Sequence, residues 1–402
     1  MSEVFIVSTF IFASTILYLQ HNYLLSSPLL QQARQSSFSH RFSTNFTFPS
    51  VEERIQYYMG DWYNITLLEI SCGEVTEGGV NKVVSDKPLL YTRDTLQGIV
   101  TKLGKKDWRV EPYHSDALHV IGNTTAELII LHIGDSHSLN PKLPSISKTR
   151  YSKYAVSKDT GKPFFSQIIW PLSTGRHYGA VDNYAQLAKR GNITSWEDKK
   201  STLIWRGSPT NLNSKPSVKT PIDSPRTHVV SKYYNHNTSD VDIAFSEGST
   251  KSIPPKYRSV KMKVRGTHAT VIDQLKFKYI LSLEGNDVAT GLKWQLASNS
   301  VVFMSQPKAV SFLMEDKLVP FVHYVPLNED YSNILEMVEW ARLNDEKCQW
   351  IAEQSTLYMK RLWMSEEAKE DNARIRKGLA DAYQNQFGEA MGVCVRNDKN
   401  VP

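Results

Sequence analysis

The alternation of apolar runs and helix-period stretches after Lys278 constrains this chain more than any other feature. Tyr279–Glu284 (YILSLE) predicts a strand, Ala289–Ser298 a short helix and Ser300–Ser305 (SVVFMS) a second strand. Lys308–Lys317 then reads as a helix and Phe321–Leu327 (FVHYVPL) as a third strand. Between Asp330 and Leu343, residues Ile334, Leu335, Val338 and Ala341 recur at helical spacing on one face. Strands joined by crossovers of this length pair in parallel, which predicts βαβ units. Ligands of such sheets bind beyond the carboxyl ends of the strands, where Gly285-Asn286-Asp287 is expected.

Upstream, Glu127–Ile133 (ELIILHI) is a short apolar run ending in Gly134-Asp135-Ser136, the pattern of a buried strand feeding a loop. Residues 209–226 carry four prolines among Ser, Asn and Thr and read as an irregular loop. Glu346–Ala382 reads as a long helical stretch packing back across the first half. With 402 residues the chain exceeds one ordinary core, so two domains sharing a cleft are expected.

Val4–Leu19 is uncharged and mostly apolar, yet shorter than the roughly 20 residues that span a bilayer comfortably. A signal-anchor, a cleavable signal and a buried helix all fit it, and the membrane-directed readings are favoured. Glu3 precedes the run while Arg34 and Arg41 follow it, so the charge asymmetry gives no support for a cytosolic N-terminus. The polar stretch Gln31–Thr47 reads as a stem. Asn-x-Ser/Thr sequons begin at Asn45, Asn64, Asn123, Asn192 and Asn237 and favour a lumenal main body.

A net charge of +6 favours phosphate-bearing ligands but is too weak for nucleic acid. The three cysteines, Cys72, Cys348 and Cys394, form no CxxC, which argues against a zinc site and a disulfide framework. GxGxxG, GxxxxGK[ST], HExxH and GxSxG are all absent, which counts against dinucleotide oxidoreductases, P-loop NTPases, zincins and α/β-hydrolases.

Two segments carry chemistry. Trp205-Arg206-Gly207-Ser208 follows apolar Leu203-Ile204, and an Arg at a strand end followed by Gly lets a guanidinium and backbone amides meet a phosphate. A surface Arg in a turn fits those four residues equally. Glu284-Gly285-Asn286-Asp287-Val288-Ala289-Thr290-Gly291-Leu292-Lys293-Trp294 reads as strand end, loop and helix start, with Lys293 as a compact cation; an ordinary βα connection fits as well.

Together with Lys278–Asn286 (KYILSLEGN), Leu296–Phe303 (LASNSVVF) and His323–Leu327 (HYVPL), these segments resemble glycosyltransferase family 90 over roughly residues 125–360. The group includes capsule-associated and lipopolysaccharide-modifying transferases and the protein O-glucosyltransferases. The phrase GNDVATGLKW is closer to the lipopolysaccharide-modifying branch. The resemblance implies a GT-B-like α/β fold of two Rossmann-type domains, anomeric inversion and no required metal or other cofactor, the UDP-sugar being a co-substrate. The apolar run and the polar stretch after it place a signal or anchor segment over 1–25 and a stem over 26–49. The resemblance also implies an acceptor-side domain over 50–200, a nucleotide-sugar domain over 201–345 and returning helices over 346–402. Arg206 would contact the donor diphosphate, with Gly207, Ser208, Glu284, Gly285, Asn286, Thr290 and Lys293 around the nucleotide sugar. A second family Arg falls at Gly291 here, leaving its charge to Lys293. Asp135 matches the family's base, and Arg176 and His177 a segment near the cleft. The partners implied are a UDP-sugar, with xylose or glucose favoured, a glycan or glycoprotein acceptor and an endoplasmic reticulum or Golgi membrane.

Two metal readings compete. Asp240-Val241-Asp242 fits the DxD pattern with which GT-A transferases hold Mn²⁺, in a place where the resembled family has a non-metal Asp. His132, Asp135 and His137 could also form a small cluster, but strand alternation would split the imidazoles from a common face. Neither is preferred to a metal-free site. A non-catalytic glycan-binding relic of the fold is the alternative from another class.

Overall fold

A computed structural model describes residues 42–65, 76–77, 89–92, 120, 128–132, 144–157, 161–162, 167–172, 174–189, 194–210, 224–234, 240–246 and 269–398. Its architecture is mixed α/β with parallel sheets. The first sheet joins β1 (Thr76–Glu77), β2 (Leu89–Thr92), β3 (Leu128–His132), β4 (Ile146–Ser147) and β6 (Ile168–Ile169) in the order β1-β2-β3-β4-β6, with β2 and β3 antiparallel. Between β4 and β6 lies β5 (Thr149–Tyr151). The second sheet contains β7 (Lys200–Gly207), β8 (Val241–Phe245), β9 (Phe277–Leu281), β10 (Val301–Ser305) and β12 (Val325–Leu327). Its order is β12-β10-β9-β7-β8, and every pair in it is parallel. The remaining strand, β11 (Ala309–Ser311), pairs antiparallel with β5 and so stitches the two halves of the chain together.

The helices are α1 (Val51–Met59), α2 (Thr174–Lys189), α3 (Pro225–Tyr233), α4 (Val271–Gln274), α5 (Leu292–Leu296), α6 (Ile334–Leu343), α7 (Asp345–Met359) and α8 (Glu366–Asp398). Local chemistry sets their ends. Ser50 and Glu53 form a capping box at α1, satisfying two backbone amides at once. Ser224 and Pro225 occupy the N-cap and first position of α3, where the missing proline N–H costs nothing.

The second sheet is apolar on both faces. Along β9 and β10, Ile280, Val302 and Met304 enter one core, whereas Tyr279, Leu281, Val301 and Phe303 enter the other. That is the period-2 division of a parallel sheet covered on both sides. The first core also takes in Ile129, Ile130 and Leu131 of β3 and Tyr383 and Phe387 of α8. Tyr383 Oη accepts the Ile130 amide at 3.0 Å, and Arg54 donates to Asn372 at 2.7 Å, so α8 lies against both α1 and β3.

Several expectations shift. The strand predicted over 279–284 runs Phe277–Leu281, and the third strand shortens to Val325–Leu327. The predicted helix Ala289–Ser298 is only Leu292–Leu296. The predicted helix Lys308–Lys317 is instead strand β11 followed by a short 3₁₀ turn at Glu315–Lys317. The amides of Lys308 and Ala309 are taken by Glu284, that of Ser311 by Glu315, and Met314 sits in the left-handed region at φ 59°. The pairing of Ala309–Ser311 with β5 and the left-handed turn at Met314 leave no room for a continuous helix there. Glu346–Ala382 is two helices, α7 and α8, separated by a π-turn at Lys360–Met364. Pro225 and Arg226, placed in the loop by composition, open α3.

Residues 42–48, expected as the end of the stem, pack along α7. Phe46 meets His323 edge-on at 4.5 Å, Phe48 meets Tyr358 at 5.1 Å, and Phe42 lies 5.8 Å from Trp350. Asn45 and Asn64 are exposed, and the other three sequons lie outside the described residues. So does Val4–Leu19. Among the described residues no helix is long and apolar enough to cross a membrane.

Candidate active site

Because all strands of the second sheet run the same way, their carboxyl ends share one edge. Gly207-Ser208 leaves β7 there, Ser282 to Asp287 leaves β9, Ser305 to Lys308 leaves β10 and Asn328 to Asp330 leaves β12. A narrow cleft at this edge is lined by Ser282, Glu284, Val288, Ser305, Pro307 and Tyr331, among others. Tyr331 and Ser305 share a hydroxyl hydrogen bond of 2.9 Å, and burial raises the phenol above its ordinary range. A wider depression beside it is lined by Gln306, Tyr324, Leu327, Asn328, Glu329 and Asp330.

The Trp-Arg-Gly sequence has a local physical reason. Residues 205 and 207 fall on the same face of β7, and a Cβ at Gly207 would lie 2.6 Å from the Trp205 ring. Only glycine lets that indole fold over the strand end. Arg206 points to the other face. Its Nη1 donates to the carbonyls of Trp205 and Asp242 at 2.9 and 2.8 Å, and its Nη2 binds the Asp242 carboxylate at 2.7 Å. Its Nε is buried without a hydrogen-bond partner among the described residues.

The Glu284 loop is held from three directions. Glu284 Oε1 accepts from the amides of Lys308 and Ala309, at 2.9 and 3.0 Å. Asp287 pairs with Lys148 at 2.9 Å, with both side chains more than nine-tenths buried. The third hold is Arg226, in the first turn of α3. Its guanidinium donates to the carbonyls of Leu283 at 3.0 Å, Glu284 at 3.1 Å and Ser208 at 3.0 Å, and to Thr210 Oγ1 at 2.7 Å. It also lies 5.8 Å from the Trp205 ring centroid. Burial lowers its pKa to about 10, so it remains a cation at neutral pH.

Sequence reasoning missed Arg226. The signal was present: Ser224-Pro225 is an N-cap and first-turn pattern, and a cation in a helix's first turn opposes the macrodipole. Such a residue needs a compensating partner, and here four oxygens supply it.

The remaining expected site residues divide. Ser208 and Asn286 are exposed and Thr290 is half-buried. Gly285 is buried, and a Cβ there would meet Thr210 Oγ1 at 2.9 Å and Arg226 Nη2 at 3.0 Å. Lys293 departs from the role of an anion-facing cation. It is fully buried, and its ammonium meets Glu315 at 3.1 Å. Glu315 is held in turn by the amide and hydroxyl of Ser311, at 2.6 and 2.7 Å. Desolvation drives the pairing, because an unpartnered ammonium in that interior would be far costlier than the pair. The helix carrying Lys293 begins after a loop of ten residues, so it is not the immediate strand-to-helix turn that the spacing suggested. Asp240 and Asp242 are engaged by Arg342 and Arg206 respectively. Asp135 and His137 lie outside the described residues, as do the side chains of His132 and Arg176, though Arg176 belongs to α2. His177 is buried in α2, beside Tyr178, which stacks on Trp363 at 3.8 Å.

The carboxyl edge, which here gathers an Arg-Gly strand end and a glycine loop, is where an open α/β sheet binds its ligand. Residues 148–369, more than half the chain, match the family described as Glycosyl transferase family 90. The chain belongs to that family. It is 32% identical over 171 residues to O-glucosyltransferase LpsA of Dichelobacter nodosus, covering 42% of this chain and 45% of that one. It is 24% identical over 251 residues to Protein O-glucosyltransferase 1 of Homo sapiens, covering 60% and 59%. A shorter match to Protein O-glucosyltransferase 2 of Danio rerio is 38% identical over 88 residues, covering 21% and 17%. The aligned stretches span about half the length of the first two relatives.

Proposed function

We propose that this protein transfers a sugar, with xylose or glucose favoured, from a UDP-sugar to a hydroxyl of a glycan or protein. The transfer inverts the anomeric centre, within a GT-B-like pair of α/β domains. The observation that carries this reading is the meeting of Trp205–Ser208 with Leu283–Asp287 at one sheet edge, tied by Arg226. The family match and the relatives named O-glucosyltransferase support the same chemistry.

In the reaction, the Asp135 carboxylate takes the acceptor hydroxyl proton as that oxygen attacks the anomeric carbon. The bond to the diphosphate breaks with its electron pair, and UDP leaves from the opposite face. Arg206 neutralises the leaving diphosphate, through its remaining Nε or by exchanging Asp242 for phosphate oxygens. Support for Asp135 is its position three residues beyond the end of β3. Lys293 has no part in this step, since its charge serves Glu315.

The metal-dependent alternative would need Asp240 and Asp242 as ligands. Both carboxylates already balance arginines, so a cation at that pair would have to break two ion pairs. We place the protein in the endoplasmic reticulum or Golgi, with its main body lumenal; the exposure of Asn45 and Asn64 supports this.

The test is calorimetric titration of UDP, followed by a hydrolysis screen over nucleotide sugars with and without EDTA. Asp135→Asn is expected to lower turnover by about 10²–10⁴-fold while UDP binding persists. Undiminished turnover would remove Asp135 from the mechanism, and absence of UDP binding would favour a glycan-binding relic.

A further inference from the structure

We propose that Arg226 is a positioning residue for donor binding, setting the Glu284-Gly285 loop so that backbone amides, rather than the guanidinium itself, face the donor diphosphate. The proposal rests on the reading that a UDP-sugar binds at this edge.

The geometry is a fork used on carbonyls. Arg226 Nε and Nη2 reach the Leu283 and Glu284 oxygens, and Nη1 reaches Ser208 O and Thr210 Oγ1. One planar cation thus clamps the loop after β9 to the strand end after β7. No cis peptide occurs among the described residues. In a trans peptide the C=O of one residue and the N–H of the next point in opposite directions. Drawing the Leu283 and Glu284 oxygens onto the guanidinium therefore turns the N–H groups of Glu284 and Gly285 away from it. Consecutive amides turned one way form the kind of concavity that receives phosphate oxygens.

Two further features fit. A Cβ at Gly285 would lie 3.0 Å from Arg226 Nη2, so glycine is what lets loop and guanidinium meet. The Trp205 ring lies on Arg226, which joins the Trp-Arg-Gly strand end to the same clamp. With four of its five N–H groups spent on protein oxygens, Arg226 acts on the diphosphate chiefly through the loop.

The test compares wild type, Arg226→Lys and Gly285→Ala by UDP calorimetry, donor and acceptor KM, kcat and thermal unfolding. An ammonium keeps the charge but cannot span four oxygens in one plane. Both variants are expected to weaken UDP binding and raise donor KM by roughly ten- to a hundredfold, with acceptor KM unchanged. Arg226→Lys binding UDP like wild type would overturn the proposal, because a point charge would then suffice. A lowered melting temperature with unchanged affinity would overturn it too, as that is what a merely structural clamp predicts. Wild type failing to bind UDP would defeat the donor reading itself, and is distinguished from the other outcomes by occurring without any substitution. Arg226→Ala is less informative, since it can fail to fold.

Discussion

Two ion pairs, one in the second sheet and one in the segments that connect its strands, show how burial assigns work to a charge. Lys293 and Glu315 are sealed, with side-chain exposures of 0% and 2%, and their bonds close within the interior. Arg206 and Asp242 form a half-open pair at the rim, the arginine side chain 6% exposed and the carboxylate 40%. Opening the first pair would leave a carboxylate stranded in a low-dielectric interior. Opening the second lets Asp242 turn to water, which under the proposed function frees the guanidinium for the diphosphate. The first pair is closed on both sides, and the second is open on its carboxylate side alone.

The largest expected effect breaks the sealed pair. Lys293→Met should cost about 3–5 kcal/mol in denaturant unfolding, with much of it recovered by adding Glu315→Gln. A loss below about 1 kcal/mol would mean the pair is not sealed. Acid probes another sealed group. His323 is buried, accepts the Val319 amide on Nδ1 at 2.9 Å, and burial lowers its pKa to about 4. The unfolded chain holds that proton near pH 6.5, so the contribution is complete above that value and is lost as pH falls through 6.5 towards 4. The loss should reach about 3 kcal/mol, and His323→Asn should flatten that part of the stability profile.

At the rim the effects move from stability to binding. Arg206→Ala should cost about 1.5–3 kcal/mol in donor kcat/KM, with a smaller change in melting temperature. Asp242→Asn should tighten UDP binding by releasing Arg206, and weaker binding instead would show that Asp242 orients Arg206 for the donor. The smallest effect belongs to Asp240, paired with Arg342 where both side chains are near 30% exposed. Asp240→Asn should change stability by less than about 1 kcal/mol and leave turnover in EDTA unaltered; lost activity there would revive the DxD reading.

The strand–helix alternation and the parallel sheet were legible because apolar runs of four to six residues sit between polar turns. Helix α6 was legible because Ile334, Val338 and Ala341 repeat on one face, and all three are buried. The segment 308–317 was not, because its backbone is governed by side chains far away in sequence, notably Glu284. Lys293 shows the same limit. A lysine near a glycine loop looks alike whether it faces solvent or an interior carboxylate, and Glu315 lies 22 residues on. Trp-Arg-Gly was legible as a strand end, but its neighbour Arg226 was not, because composition assigned that residue to a proline-rich loop.

The aromatic strap at residues 42–48 carries a practical consequence. A shortened recombinant chain starting at the α1 cap would keep every described strand and yet uncover Tyr358 and His323, whose faces Phe46 and Phe48 close. Fresh greasy surface and a wetted imidazole would follow, and the trimmed protein should clump in mild acid where the longer one stays clear.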